Sequence, residues 1–406
     1  MPQWKKLSHQ QINERIFSAL KENVNYYNED KVGIPASHLD DKVFYQNAPF
    51  LEDAPFLSAL IHNPNHIGCH TLGSSESFFK GTQAIEKEVI EICAGNILKG
   101  GEDDDFDGYV ASGGTEANMQ AVWIYRNYFM QEFGATLDEI ALISSEDAHY
   151  SSAKASNVFQ ISFFRVPVEN KNRKINHEAV KQTVETAKQE GKKYFIVVAN
   201  MMTTMFGSVD DVACYTEVMR ALDLPFKLHV DGAYGGFFYP FSKPENSLNF
   251  SNPDVNSITL DAHKMLQAPY GTGIFLIRKN WMTYANTQEA SYVEGEDYTL
   301  IGSRSGANAI AIWMILMTYG PNGWYEKNMV LNHRAEWLCK KLKEKAIAFY
   351  RHPDANIVTI EAQYLKAEVC KKYGLVPDNH KNPQWYKVVV MDHVTIEKLE
   401  RFIEEV

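Results

Sequence analysis

The chain has 406 residues, 45% hydrophobic and 22% charged, ordinary globular composition with ample apolar material for a large core. A formal charge of −11 argues against a nucleic-acid partner, whose phosphate backbone demands a basic surface. The five cysteines (Cys69, Cys93, Cys214, Cys339, Cys370) are odd in number and scattered, which fits a reduced, cytoplasmic setting rather than a disulfide framework.

The opening stretch, MPQWKKLSHQQINERIFSAL, is polar and helix-like and lacks the apolar core of a signal peptide. It begins an N-terminal helical segment expected over 1–60. Residues 79–98, FKGTQAIEKEVIEICAGNIL, space Ile85, Val89 and Ile92 as one helix face. A strand DGYVA follows, then SGGT, then a helical run from Glu116. The short apolar runs EIALISS, YFIVVAN, KLHVD, SITLD and GIFLIRK read as strands, several of them separated by helical segments such as 211–222. Strands alternating with helices predict a mostly parallel sheet covered on both faces, in a large domain over 61–303. The apolar stretch GANAIAIWMILMTYG is shorter than the roughly 20 residues that span a bilayer and reads as a buried helix, with no membrane partner. From 304 to 406 helical patterns, the strand-like NIVTIEA and YKVVVMD, and a final TIEKLERFIEEV predict a smaller C-terminal α/β domain.

Four places carry chemistry. In YVASGGTEANMQ a strand runs into Gly113 and Gly114, with Thr115 standing where a helix N-cap belongs. Bare amides and close-approaching glycine backbone suit a phosphate, although an ordinary capped turn has the same look. Neither GxGxxG nor GxxxxGK[ST] occurs. In KLHVDGAYGGF an apolar strand ends in Asp231, followed by the small residues Gly232 and Ala233. Ligands of parallel sheets bind at the carboxyl ends of strands, but a strand-terminating aspartate also caps turns. His149 follows another strand end in SSEDAHYSS. In SITLDAHKMLQAPYGTGIFL, His263 and Lys264 precede a loop shaped by Pro269, Gly271 and Gly273. Together, in chain order, a phosphate-type turn, a histidine, a strand-end aspartate and a strand-end lysine are the equipment for pyridoxal 5'-phosphate.

SGGTEAN, HVDGAYGGF, DAHKM with the following AP and G, and GSRSGA resemble the group II pyridoxal-dependent decarboxylases, in the branch of archaeal tyrosine/aspartate decarboxylases and sphingosine-phosphate lyases. The resemblance runs from FFKGTQAIEKEVIEICAGNIL to VVVMDHVT. It implies fold type I, the aspartate-aminotransferase-like architecture, and a homodimer with active sites at the subunit interface. It also implies decarboxylation of an L-amino acid (aromatic such as tyrosine, acidic, or histidine) to its amine and carbon dioxide.

The same resemblance makes Lys264 the imine lysine and Asp231 the partner of the pyridine nitrogen. It puts Ala233 and His149 on the two faces of the ring, and Gly113, Gly114, Thr115 and His263 around the phosphate. Thr203 comes near the ring oxygen, with Thr204 as the alternative, since NMMTT lacks the glycine that relatives often carry there. Gly232 stands where many relatives have alanine. Tyr292 corresponds to a loop tyrosine that returns a proton to the substrate, and equally reads as a packing residue. Arg304 reads as a brace more than as a carboxylate anchor. His62, His66, Cys69 and His70 have the look of metal ligands, but their context is an active-site rim, and no metal is expected. The rival activity is a carbon–carbon lyase of the sphingosine-phosphate type.

Overall fold

The computed structural model describes residues 4–24, 44, 47–62, 72, 77–101, 105–285 and 296–406. Helix α1 (His9–Glu22) opens on a capping box, with Ser8 Oγ accepting from the Gln11 amide and the Gln11 side chain accepting from the Ser8 amide. Helices α2 (Pro55–His62) and α3 (Lys80–Glu91) follow. The run expected to remain one helix through Leu98 instead widens into a π-helix at Ile92–Ile97, where the Leu98 amide reaches back to the Cys93 carbonyl.

The α/β body then runs β1 (Phe106–Ala111), α4 (Gly114–Phe133), β2 (Ile140–Ser145), α5 (Ser151–Phe159), β3 (Ser162–Val166), α6 (His177–Gln189), β4 (Tyr194–Asn200), α7 (Val212–Ala221), β5 (Phe226–Gly232), α8 (Tyr239–Ser242), β6 (Val255–Asp261) and β7 (Gly273–Arg278). The sheet order is β1-β7-β6-β5-β4-β2-β3. β3, β2, β4 and β5 pair in parallel, and every residue of β1 and β2 is buried, as strands covered on both faces require. β7 departs from the expected parallel arrangement, lying antiparallel to both β1 and β6. The link 262–272 is too short for a parallel return, which takes about a dozen residues or more. β3 sits at the sheet edge and is mostly half-exposed, so its run SFFRV carries no strong apolar signal.

Helix α9 (Gly306–Glu344) is two helical stretches meeting at Gly320, which adopts φ 60°, with Pro321 next to it. A Cβ at Gly320 would lie 2.8 Å from Lys6 Cβ, so the bend also lets the N-terminal arm approach. β8 (Phe349–Tyr350), β9 (Ile357–Glu361), α10 (Ala367–Tyr373), β10 (Val376–Pro377), β11 (Trp385–Val389) and α11 (Ile396–Glu405) complete the chain. Their antiparallel sheet, order β10-β11-β9-β8, packs on a core of Leu338, Leu342, Val358, Ile360, Leu399 and Phe402. The chain divides into two compact units, Met1–Ala135 with Asn249–Trp324 and Thr136–Leu248 with Tyr325–Val406. Among the described residues, no helix is long and apolar enough to cross a membrane.

Candidate active site

In the first unit, β1 delivers Ser112 and Gly113 to the start of α4. Gly113 is the N-cap and its carbonyl accepts from Ala117, so Thr115 lies inside the helix rather than at the cap position its sequence context suggests. Ala111 pairs with Gly273 across β1 and β7. A Cβ on Gly273 would come within 2.6 Å of Gly113 Cα, so only glycine lets these backbones meet. A Cβ on Gly113 would meet nothing nearer than His263 Cε1 at 3.9 Å. The helix start therefore opens toward His263.

β6 ends at Asp261, and the next residues turn tightly, Lys264 N donating to Asp261 O and Ala268 N to Ala262 O. Lys264 Nζ lies 3.1 Å from Asp261 Oδ2, and His263 Nε2 lies 3.7 Å from the same oxygen. His263 Nδ1 is buried with no hydrogen-bond partner among the described residues, and the ring leans on exposed Tyr270, centroids 5.2 Å apart. Gly271 (φ 84°) shapes the loop, its carbonyl accepting from Asn308 Nδ2 at 2.6 Å. The geometry thus brings Gly113, Gly114, Thr115 and His263 to one helix start, with Lys264 adjacent in the chain to that histidine. Sequence reasoning passed over Asp261, although its three-residue spacing from Lys264 across a turn was legible.

Arg304 is buried in this unit and pairs through both terminal nitrogens with Glu86, which also accepts from the Val110 amide at 2.6 Å. Its guanidinium lies 5.0 Å from the Tyr109 ring centroid. Burial alone would lower the Arg304 pKa, but the negative charge of Glu86 and its hydrogen bonds, with a smaller share from Glu116, hold it above the ordinary value. These contacts make Arg304 a brace inside the first unit. Burial pushes the Glu116 carboxyl up, while hydrogen bonds from Tyr109 and Ser112 oppose the shift.

In the second unit the expected residues lie at or just past the carboxyl ends of neighbouring parallel strands β2, β4 and β5. His149 Nδ1 accepts from the Ser151 amide at 3.3 Å and lies 3.0 Å from Ser151 Oγ, which places the neutral ring's proton on Nε2. Asp231 is 8% exposed, and its Oδ1 accepts from the Ala233 amide at 3.0 Å. The register Asn200↔Asp231 ties it to β4. Behind that end, Asp210 Oδ2 accepts from both the amide and the side chain of Asn200, whose Nδ2 also contacts Ser144 and Ser145. Thr203 is buried with its hydroxyl 2.7 Å from Ser208 Oγ, whereas Thr204 is exposed. Tyr292, His66, Cys69 and His70 lie outside the described residues.

The Pyridoxal-dependent decarboxylase conserved domain matches residues 64–360. The chain belongs to the pyridoxal-dependent decarboxylases. It is 50% identical over 402 residues (98% of this chain, 96% of the relative) to a tryptophan decarboxylase of Clostridium sporogenes. It is 32% identical over 338 residues (80% and 82%) to an L-aspartate decarboxylase of Thermococcus kodakarensis. Its fold is similar to that of L-methionine decarboxylase from Streptomyces sp. 590, with a TM-score of 0.73 at 21% identity, covering 98% of this chain and 93% of that one.

This decarboxylase is a fold type I carboxy-lyase whose cofactor is pyridoxal 5'-phosphate. Its residues fit that group. In the first unit the orphaned Nδ1 of His263 and the side-chain-free start of α4 suit a phosphate, and Lys264 supplies an amine.

Proposed function

We propose that this decarboxylase converts an aromatic L-amino acid, tryptophan first among candidates, to its amine and carbon dioxide. The observation that carries the substrate class is the 50% identity to a tryptophan decarboxylase over nearly the whole chain. A carbon–carbon lyase of the sphingosine-phosphate type is disfavoured on the same ground.

When bound, the cofactor supplies an aldehyde and a conjugated cationic ring that accepts the electrons of the broken Cα–carboxylate bond. The chain does the rest. Lys264 would hold the cofactor through its amine. The amides of Gly114 and Thr115, with His263 Nδ1, would hold the phosphate. The Asp231 carboxylate would keep the proton on the pyridine nitrogen, an electrostatic role that strengthens as the site excludes water. Ala233 and His149 would pack against the cofactor ring, and Thr203, on the Ser208-braced turn, would hydrogen-bond it. Tyr292 returns the proton to Cα. The enzyme works as a homodimer in the cytoplasm, consistent with the four buried free thiols among the described residues.

The test has two parts. Borohydride reduction of the loaded enzyme followed by peptide mapping should find the cofactor on Lys264, and Lys264→Ala should lose amine production by several orders of magnitude. Incubation with each common amino acid should give tryptamine from tryptophan as the fastest product. Amine formed at the native rate by Lys264→Ala would sink the mechanism. A loaded enzyme inert toward aromatic amino acids would sink the substrate class, and an aldehyde with phosphoethanolamine would restore the lyase reading.

A further inference from the structure

The helix start assigned to the phosphate presents an electrostatic puzzle. Its third residue is Glu116, a carboxylate within one turn of the place where an anion would sit, yet the side chain does not cap α4. It turns back on the chain instead. Glu116 Oε2 accepts from the Ser112 amide at 2.7 Å and from Ser112 Oγ at 3.3 Å, and Oε1 accepts from the Tyr109 hydroxyl. Every group facing these two oxygens is a donor, so the carboxylate is anchored at both ends. Tyr109 also reaches Gln120 Oε1 at 3.0 Å, and its ring lies beside the Arg304 guanidinium, which Glu86 fixes in turn. The Ser112–Gly113 turn is therefore tied to buried β1 and to the Glu86–Arg304 pair through one residue.

We propose that Glu116 is a positioning residue for the cofactor phosphate. It withdraws both donors of Ser112, holds Gly113 against Gly273, and so leaves the first-turn amides of α4 presented toward His263. The repulsion expected between Glu116 and an anion is offset because Arg304, Tyr109 and Ser112 already engage its charge. What the turn needs from position 116 is an acceptor for Ser112 rather than a negative charge. The inference rests on the pyridoxal-phosphate reading of this site.

Glu116→Ala and Glu116→Gln separate the two roles. Alanine removes both hydrogen bonds to Ser112, and charge-assisted bonds of this kind make a loss of about 10- to 100-fold in cofactor affinity the expected result. Glutamine keeps a carbonyl for the Ser112 amide, and its NH2 can donate to Tyr109, whose own hydroxyl then donates to Gln120. It should bind within about 3-fold of wild type. Cofactor affinity is read from the visible absorbance of the lysine adduct, and its loss in Glu116→Ala with recovery in Glu116→Gln is a split that general loosening of the fold would not give. Amide hydrogen exchange over 112–115 in the cofactor-free chain should quicken in Glu116→Ala by about 10-fold or more, with the rest of α4 unchanged.

Wild-type exchange and affinity in Glu116→Ala would overturn the proposal. So would a folded Glu116→Gln protein that binds at least 10-fold more weakly than wild type, which keeps the proposal exposed should the alanine variant not fold. A wild-type chain that never acquires cofactor absorbance defeats the pyridoxal-phosphate reading instead, and the exchange comparison still decides whether Glu116 holds the turn.

Discussion

The contact between Gly273 and Gly113 gives the sharpest test of the cradle. A Cβ at position 273 would sit 2.6 Å from both Gly113 Cα and Gly113 C, and 2.8 Å from Gly113 N. Ordinary carbon–carbon contact is about 3.5–4.0 Å, so Gly273→Ala must push the turn back by about 1 Å. The strand itself cannot yield easily. β7 is hydrogen-bonded on both sides, Gly273 facing Ala111 on one neighbour and Asp261 on the other. Overpacking of this size costs about 1–3 kcal/mol, and a 1 Å misplacement near the chemistry lowers turnover on the order of 100-fold. Cofactor titration by absorbance, steady-state decarboxylation and urea unfolding would measure loading, turnover and stability on one protein. Gly134→Ala is the control. That residue ends α4 at φ 65° with nothing within 4 Å of a new Cβ, so its cost is backbone strain of about 1–2 kcal/mol with cofactor affinity intact. If Gly273→Ala loads cofactor within 2-fold of wild type, or if Gly134→Ala weakens loading equally, the steric argument fails.

Two further outcomes concern the braces behind the site. Arg304→Met leaves the buried Glu86 carboxylate without its guanidinium, at a cost of about 3–5 kcal/mol; Glu86→Gln combined with Arg304→Met should cost less than Arg304→Met alone, as denaturant titration followed by tryptophan fluorescence would show. Burial pushes the Asp210 carboxyl up to about 7, with Asp147 adding to the rise and hydrogen bonds from Asn200 and Ser145 opposing it. The native chain then holds this proton more tightly than the unfolded chain, whose aspartates titrate at about 3.9. The Asp210 contribution therefore makes stability fall as pH rises from about 4 to about 7. Asp210→Asn removes that slope, so its urea midpoint should exceed wild type more at pH 8 than at pH 5, and an equal gap at both would contradict the raised carboxyl.

What the sequence revealed, and what it hid, follows the distance over which each feature is determined. β2 and β4 were readable because each is a short, buried, largely apolar run ending in polar residues, β5 and β6 because their mostly buried, strand-forming stretches run into an aspartate, and Asp231, His149 and Lys264 were readable because they sit at or just beyond such ends. Edge strand β3 was not, since a half-exposed run needs its neighbour to define it. The position of Thr115 was misplaced by a local rule: a threonine after two glycines has the chemistry of a cap, yet the helix starts earlier, with the Gly113 carbonyl accepting from Ala117. Glu116 and Asp261 show the boundary most clearly. Half of each environment is local, Ser112 four residues before Glu116 and Lys264 three after Asp261, and pattern alone would have supplied that half. The other half is topological. Glu86 and Arg304 are 218 positions apart, and they brace Tyr109 only because α3 packs under β1 and the chain returns there after β7. A charge in a sequence announces that it needs a partner, but the partner is chosen by which strand ends up beside which. For that reason the lysine proposed to carry the cofactor could be picked out from its motif, while the carboxylate proposed to steady the phosphate turn required the fold.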